Sequence, residues 1–168
     1  MLWGIERQTG QPFVPLRLLA WHTPTAFGML LAGGATWLSG GRTRRRLGPR
    51  ILDLVALAAA HTAGSPYCAS DAAQDLSRLE PPEVQAVEAG DDVETVASFS
   101  ERERLAIRYA RLISATPLDF PRDFIAELTS AFTEPEIVVL AAAAADINYN
   151  ARMFEALGVP VPVVGTGQ

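Results

Sequence analysis

The chain has 168 residues, 49% of them hydrophobic and 20% charged, with a formal net charge of −5. That length and balance describe one globular domain with a sizeable core and exclude a disordered chain. The acidic balance excludes a general nucleic-acid binder, and a single cysteine excludes an internal disulfide framework and a zinc motif, so a reducing cytoplasm is expected.

Strand signals are almost absent and helix punctuation recurs, so residues 1–168 are expected to form one all-α domain, a helical bundle. Thr23 reads as an N-cap with Pro24 at the first helical position. The apolar stretch 26–38, "AFGMLLAGGATWL", is shorter than the roughly 20 residues that span a bilayer. Its charges follow the apolar run, the reverse of a signal peptide, so it is expected to be a buried helix with no membrane partner. The basic run "RTRRR" at 42–46 reads as a solvated interhelix loop. Gly48-Pro49 opens the next helix, "RILDLVALAAAHTA", and Gly64 closes it.

Ser65-Pro66 starts another helix at once, running to about residue 79, and Pro81-Pro82 starts a short one that Gly90 ends. The piece 89–100, "AGDDVETVASFS", is the most linker-like. "SERE" at 100–103 and "TEPE" at 133–136 fit the capping box, a glutamate three residues after the cap. They open helices to about residue 115 and over about 135–157, the latter stopped by Gly158, with a further helix near 122–132. The tail "VPVPVVGTGQ" cannot continue a helix and is expected to lie extended.

Chemistry concentrates at "HTAGSPYCASDA", residues 61–72, which holds the only cysteine and one of two histidines. With Pro66 at the first helical position, Ser65 sits at the N-cap and can accept from the backbone N–H of Cys68. Cys68 then lies in the first turn, where the positive end of the helix dipole favours a thiolate. The competing reading is a small buried thiol. Upstream, Asp53, Leu57 and His61 stand at i, i+4 and i+8 of an apolar helix, roughly on one face. Asp53 in such a segment needs a partner or a raised pKa, unless it bonds an arginine or caps a neighbouring helix.

An acidic residue, eleven intervening residues and then a C-x-x-C-like unit on the next helix resembles the carboxymuconolactone decarboxylase and alkyl hydroperoxidase D-like superfamily. "FVPLRLLAWHTPTAFGMLLAGGATWL", "FSERERLAIRYARLIS" and "FTEPEIVVLAAAAADINYNARMFEALGVP" are similar, in order and spacing, to the family's leading, second-half and final helices. The resemblance covers about residues 13–162 and leaves 163–168 as a tail. It implies the family's helical bundle, assembled as a trimer or hexamer. The family's peroxidase branch uses a glutamate, two cysteines and a histidine four residues after the second cysteine. By position the glutamate becomes Asp53, the resolving first cysteine becomes Ser65, the attacking second cysteine is kept as Cys68, and the histidine becomes Ala72. Serine forms no disulfide, so the family's intramolecular disulfide cycle is excluded.

Three versions stay open. Cys68 attacks peroxides and an external thiol reductant resolves it, with His61 supplying the missing imidazole. Alternatively, the pocket runs a decarboxylase-like, non-redox reaction on a small organic acid or secondary metabolite, with Asp53 or His61 as acid and base. Or catalysis is lost and an oligomeric binding protein remains.

Ser65 and Tyr67 beside the thiol are candidate substrate contacts. Asp146 and Asn150, one turn apart after "IVVLAAAAA", either line a pocket beside Cys68 or join an intersubunit network with Asn148 and Arg152, which the alanines favour. The stripe Arg104, Arg108 and Arg111 reads as a solvated face rather than an anion-binding wall. His22 is expected to pack or cap. No metal, cofactor or nucleotide site is expected.

Overall fold

The computed structural model describes residues 14–19, 21–38, 42–74, 79–90 and 93–161. The predicted extended tail 163–168 lies outside them. The described residues form nine α-helices and no strand. These are α1 (Val14–Leu19), α2 (Thr23–Gly33), α3 (Arg42–Leu47), α4 (Pro49–Thr62), α5 (Pro66–Gln74), α6 (Pro81–Glu88), α7 (Glu101–Ser114), α8 (Phe124–Ala131) and α9 (Glu134–Ala156). A π-helical turn, Gly34–Leu38, extends α2, and a 3-10 turn, Val93–Thr95, precedes α7.

Helix α4 is the axis of the bundle, with α5, α6, α7 and α9 packed around it. Its sequence is apolar nearly all round, and a helix of that kind must be enclosed. Leu52, Leu54, Val55, Leu57, Ala59 and Ala60 are all at most 1% exposed. Leu105 to Ile107 and Ala110 of α7, and Leu140, Ala143 and Ala144 of α9, complete this core. The alanines let α9 approach α4 closely.

Three of the helix starts are glutamate capping boxes, and arginines fasten two of them to α4 and to one another. Glu103 accepts from the Ser100 N–H at 2.7 Å, and Glu136 accepts from the Thr133 N–H at 2.8 Å. The third start, at α6, was not read as a box. There Glu83 accepts from the Glu80 N–H at 2.8 Å. Arg50, in the first turn of α4, then donates to Glu83 at 2.6 and 3.0 Å and to Glu103 at 2.6 Å. Arg102 donates to Glu136 at 3.0 Å.

Several expectations are corrected. The helix over 26–38 is not buried: Ala26 is the one buried residue of α2, while Phe27 is 56% and Leu31 58% exposed. Apolar residues surround α2, but among the described residues only one side of it is packed. Thr23 is the first helical residue rather than the cap; His22 holds the N-cap position and its Nδ1 lies 2.6 Å from Thr25 Oγ1. The "RTRRR" run is helical, as α3, not a loop. The linker-like piece carries Val93 and Phe99 into the core, 1% and 2% exposed, so its acidic composition hides two anchors. The helix predicted to reach residue 79 is described over Pro66–Gln74, with 75–78 outside the described residues and Leu79 not helical, and the one near 122 starts at Phe124.

Candidate functional site

Helix α4 ends in a Schellman motif: Ser65 N–H donates to Ala60 O at 3.2 Å and Gly64 N–H to His61 O at 3.1 Å. Gly64 makes the reversal at φ +67°, a conformation that side chains disfavour. The chain therefore leaves α4 and enters α5 without a loop. Ser65 becomes the cap of α5, buried, and its Oγ accepts from the Cys68 N–H at 3.3 Å. This arrangement fixes Cys68 in the first turn of α5, 5% exposed.

Beside the thiol opens a pocket of about 490 Å³. Asp53 and Ala56 reach it from α4, Tyr67, Cys68 and Asp71 from α5, and Asp146 and Asn150 from α9. Helix α2 and the π-helical turn close it with Met29, Leu30 and Trp37. Tyr67 and Phe154 form an edge-to-face pair with centroids 5.1 Å apart on its wall. The Trp37 indole donates to Asp146 Oδ2 at 2.7 Å, pinning the π-helical turn to α9 across 109 positions of sequence.

Of the candidate residues, Cys68, Asp53, Tyr67, Asp146 and Asn150 therefore share one cavity. Ser65 and His61 are not among its lining residues. Ser65 lines a neighbouring pocket of about 420 Å³ with Arg152 and Glu155, and meets the site through its hydroxyl, which accepts from the Cys68 N–H and also acts on the thiol. His61 Nε2 faces Glu88 Oε1 at 3.5 Å. Helical geometry accounts for this: eight residues at 100° each leave His61 about 80° off the Asp53 face, whereas Ala60 stays on it. Ala60 indeed packs with Tyr67 and Cys68.

Two lining residues with polar groups were missed. Asp71 stands at i+3 from Cys68, a signal that was available in "CASD". Trp37 had none, because its partner is remote in sequence. The polar cluster of α9 divides: Asp146 and Asn150 line the pocket, while Asn148 donates to Ser114 Oγ at 2.9 Å and Arg152 to Thr116 Oγ1 at 3.1 Å. Arg108 pairs with Glu127 at 3.1 Å, and Arg104 and Arg111 donate to the Val96 and Val87 carbonyls at 3.1 and 3.3 Å. The arginine stripe is a structural rim.

Burial works against the thiolate that the helix start favours. Burial pushes the Cys68 thiol up from its ordinary range; the Ser65 hydroxyl opposes this, and the negative charges of Asp71 and Asp146 add to it. Partial desolvation raises the Asp71 carboxyl although the residue keeps an exposed side, and desolvation raises Asp146 against the Trp37 hydrogen bond.

No family model matches the sequence, and no curated protein matches it. Solved structures do match. A peroxidase-related protein from Silicibacter sp. TM1040 superposes with TM-score 0.81 at 15% identity, covering 99% of this chain and 85% of that one. The fold is that of the alkylhydroperoxidase D-like proteins. The AhpD-core peroxidase-related protein of Ralstonia eutropha JMP134 gives TM-score 0.78 at 15% identity, over 96% and 83% of the two chains. The debrominase Bmp8 gives 0.80 at 18%, over 96% and 84%, and a cysteine-to-alanine form of it was solved with 2,3,4-tribromopyrrole. Among the described residues no single helix is long and apolar enough to cross a membrane.

Proposed function

We propose that the chain is a single-thiol reductase of small organic hydroperoxides, with Cys68 as nucleophile and an external thiol as reductant. The carrying observation is that Cys68 and Asp53 line the same open cavity, which a catalytically silent protein would not require. In the proposed cycle the Cys68 proton passes to a pocket carboxylate, Asp53, as sulfur attacks the terminal peroxide oxygen. The O–O bond breaks, sulfur is oxidised to sulfenic acid, and the departing alkoxide takes the proton to leave as an alcohol. One external thiol then condenses with the sulfenic acid, releasing water. A second thiol displaces the first as a disulfide and restores Cys68. A raised thiol pKa makes that local base necessary, because little free thiolate exists at neutral pH.

The Bmp8 likeness supports a second electrophile for the same sulfur. Attack on an aryl bromine would give a sulfenyl bromide and, after protonation, the debrominated ring; two external thiols would then restore Cys68. The apolar wall of Trp37, Tyr67 and Phe154 suits a flat ring. Assembly belongs to the same reading. The outer face of α9 exposes Val138 at 66% and Tyr149 at 48%, with Ala142 and Ala145 between them, and a trimer or hexamer would cover it.

The test is dimedone trapping. Reduced wild type and Cys68→Ala are treated with an organic hydroperoxide and weighed intact. A stoichiometric adduct confined to wild type supports the proposal. If wild type stays unmodified while a control thiol oxidises, Cys68 is not a peroxidatic residue.

A further inference from the structure

Gly33 lines the pocket beside Cys68, yet neither usual reason for a glycine applies to it. It closes the α-helical run of α2 and is not one of the glycines with positive φ, which among the described residues are Gly48, Gly64, Gly90 and Gly158. Nor does it allow a close approach. Among the described residues a Cβ at Gly33 would meet only Trp37 Cδ1, at 4.0 Å, an ordinary contact. A glycine within a helix destabilises it relative to alanine, so this one weakens α2 with no conformational or packing need. A side chain here would point into the cavity. Gly33 follows Ala26, the buried residue of α2, by seven positions, and at 100° per residue the two point within about 20° of each other. Leu30 and Trp37, on either side of Gly33 in sequence, line the same cavity.

We propose that Gly33 is a specificity-determining residue: the space that its missing side chain leaves between Leu30 and Trp37 receives the ring of an aryl hydroperoxide, so the pocket favours ring-bearing electrophiles over hydrogen peroxide. The inference rests on the reading that this cavity is the active site and adds its substrate class. Cys68 is 5% exposed, so a reagent meets the sulfur through the cavity that it lines. A ring held there replaces water on Met29 and Leu30 of α2 and on Ile147 and Phe154 of α9. Trp37 is tied to Asp146 at 2.7 Å, which holds the indole at the end of this space rather than folded into it. Leucine at position 33 would occupy the same space, excluding a ring while leaving a path for a peroxide with no apolar body. Gly28 supplies the contrast on the same helix. A Cβ there also meets nothing within 4 Å, but Gly28 stands about 160° from Ala26, is exposed, and does not line the pocket.

Two pairs of probes, each a ring-bearing and a small reagent, decide the matter on reduced full-length protein. Cumene hydroperoxide and hydrogen peroxide are compared by the rate of Cys68 oxidation, and N-phenylmaleimide and iodoacetamide by the rate of its alkylation. In Gly33→Leu the ratio of ring-bearing to small reagent is expected to fall about tenfold in both pairs, relative to wild type. Gly33→Ala, whose methyl group fits at an ordinary contact, is expected to fall between the two and carries the test if leucine disturbs the native circular dichroism. Gly28→Leu should leave both ratios at their wild-type values, since its side chain points to solvent. Unchanged alkylation ratios in folded Gly33 variants, or an equal fall in Gly28→Leu, overturn the proposal. Alkylation reads the space whether or not peroxides oxidise the thiol. If no peroxide oxidises Cys68 while the maleimide ratio falls, the peroxidatic reading fails and the role of Gly33 stands. If peroxides oxidise Cys68 and neither ratio moves, the role of Gly33 fails alone.

Discussion

Cys68 is held between opposing influences. The first turn of α5 and the Ser65 hydroxyl favour its thiolate, while burial and two nearby carboxylates disfavour it, and the second group prevails. The reactive fraction should therefore grow with pH. Sulfenic acid formation is expected to accelerate from neutral pH through and beyond pH 9, the ordinary thiol range, without an earlier plateau. Stopped-flow oxidation across that range checks this; a plateau near neutrality would mean that the helix start dominates. Asp71→Asn should move the profile to lower pH. His61→Ala should leave the rate within about twofold, because His61 faces Glu88 rather than the pocket. Much of this site was legible in sequence: a thiol at a helix start, a charge inside an apolar helix, and a polar pair following an alanine run. The Trp37–Asp146 bond was not legible, since nothing local couples residues so far apart. The thiol's direction of shift was also hidden, because it depends on carboxylates from two helices whose meeting is a tertiary fact.

Helix boundaries were written in punctuation. Pro49, Pro66 and Pro81, the glutamate capping boxes and the closing glycines place the starts of α4 to α7 and α9, and the ends of α4, α6, α7 and α9, within a residue or so, because caps are local chemistry. The orientation of α2 was not written there. Its apolar residues surround the helix, and only packing decides which side is covered. Gly64 is the punctuation mark on which the site depends. A Cβ there meets nothing within 4 Å, so Gly64→Ala costs only the strain of positive φ, about 1 kcal/mol. Thermal unfolding should show that small loss. A larger loss, or loss of the native circular dichroism, would indicate that the α4–α5 joint cannot keep its Schellman geometry. Replacing Ser65 by cysteine tests the same joint from the other side. Residues at the cap and third position of one helix lie within disulfide reach. Peroxide should then convert Ser65→Cys to an intramolecular disulfide, read as the loss of two hydrogens and resistance to dimedone.

For the molecule as a whole, Arg50 ties α4 to the starts of α6 and α7, and Arg102 ties α7 to the start of α9. Arg50 holds the Glu83 carboxyl down to about 2 from its ordinary 4.5. Burial pushes Glu103 and Glu136 up, but their cap N–H groups, cap hydroxyls and arginines outweigh it and lower both. In the unfolded chain these acids protonate at their ordinary pH. As pH falls from about 4.5 toward 2 the unfolded state therefore takes up protons that the folded state refuses, and stability is lost. Asp71 and Asp146 have the opposite sign: their raised folded pKa lets the native state bind protons first, so mild acid favours folding. Tm is expected to rise slightly from neutral to mildly acidic pH and then to fall steeply. Arg50→Met should cost about 3 kcal/mol at neutral pH by leaving two buried carboxylates without their shared cation. The same variant should flatten the acid limb without abolishing it, since Arg102–Glu136 remains. Thermal scans of both proteins across this range decide it. An unchanged acid limb in Arg50→Met would place the acid sensitivity elsewhere than in the clamp that unites these helices.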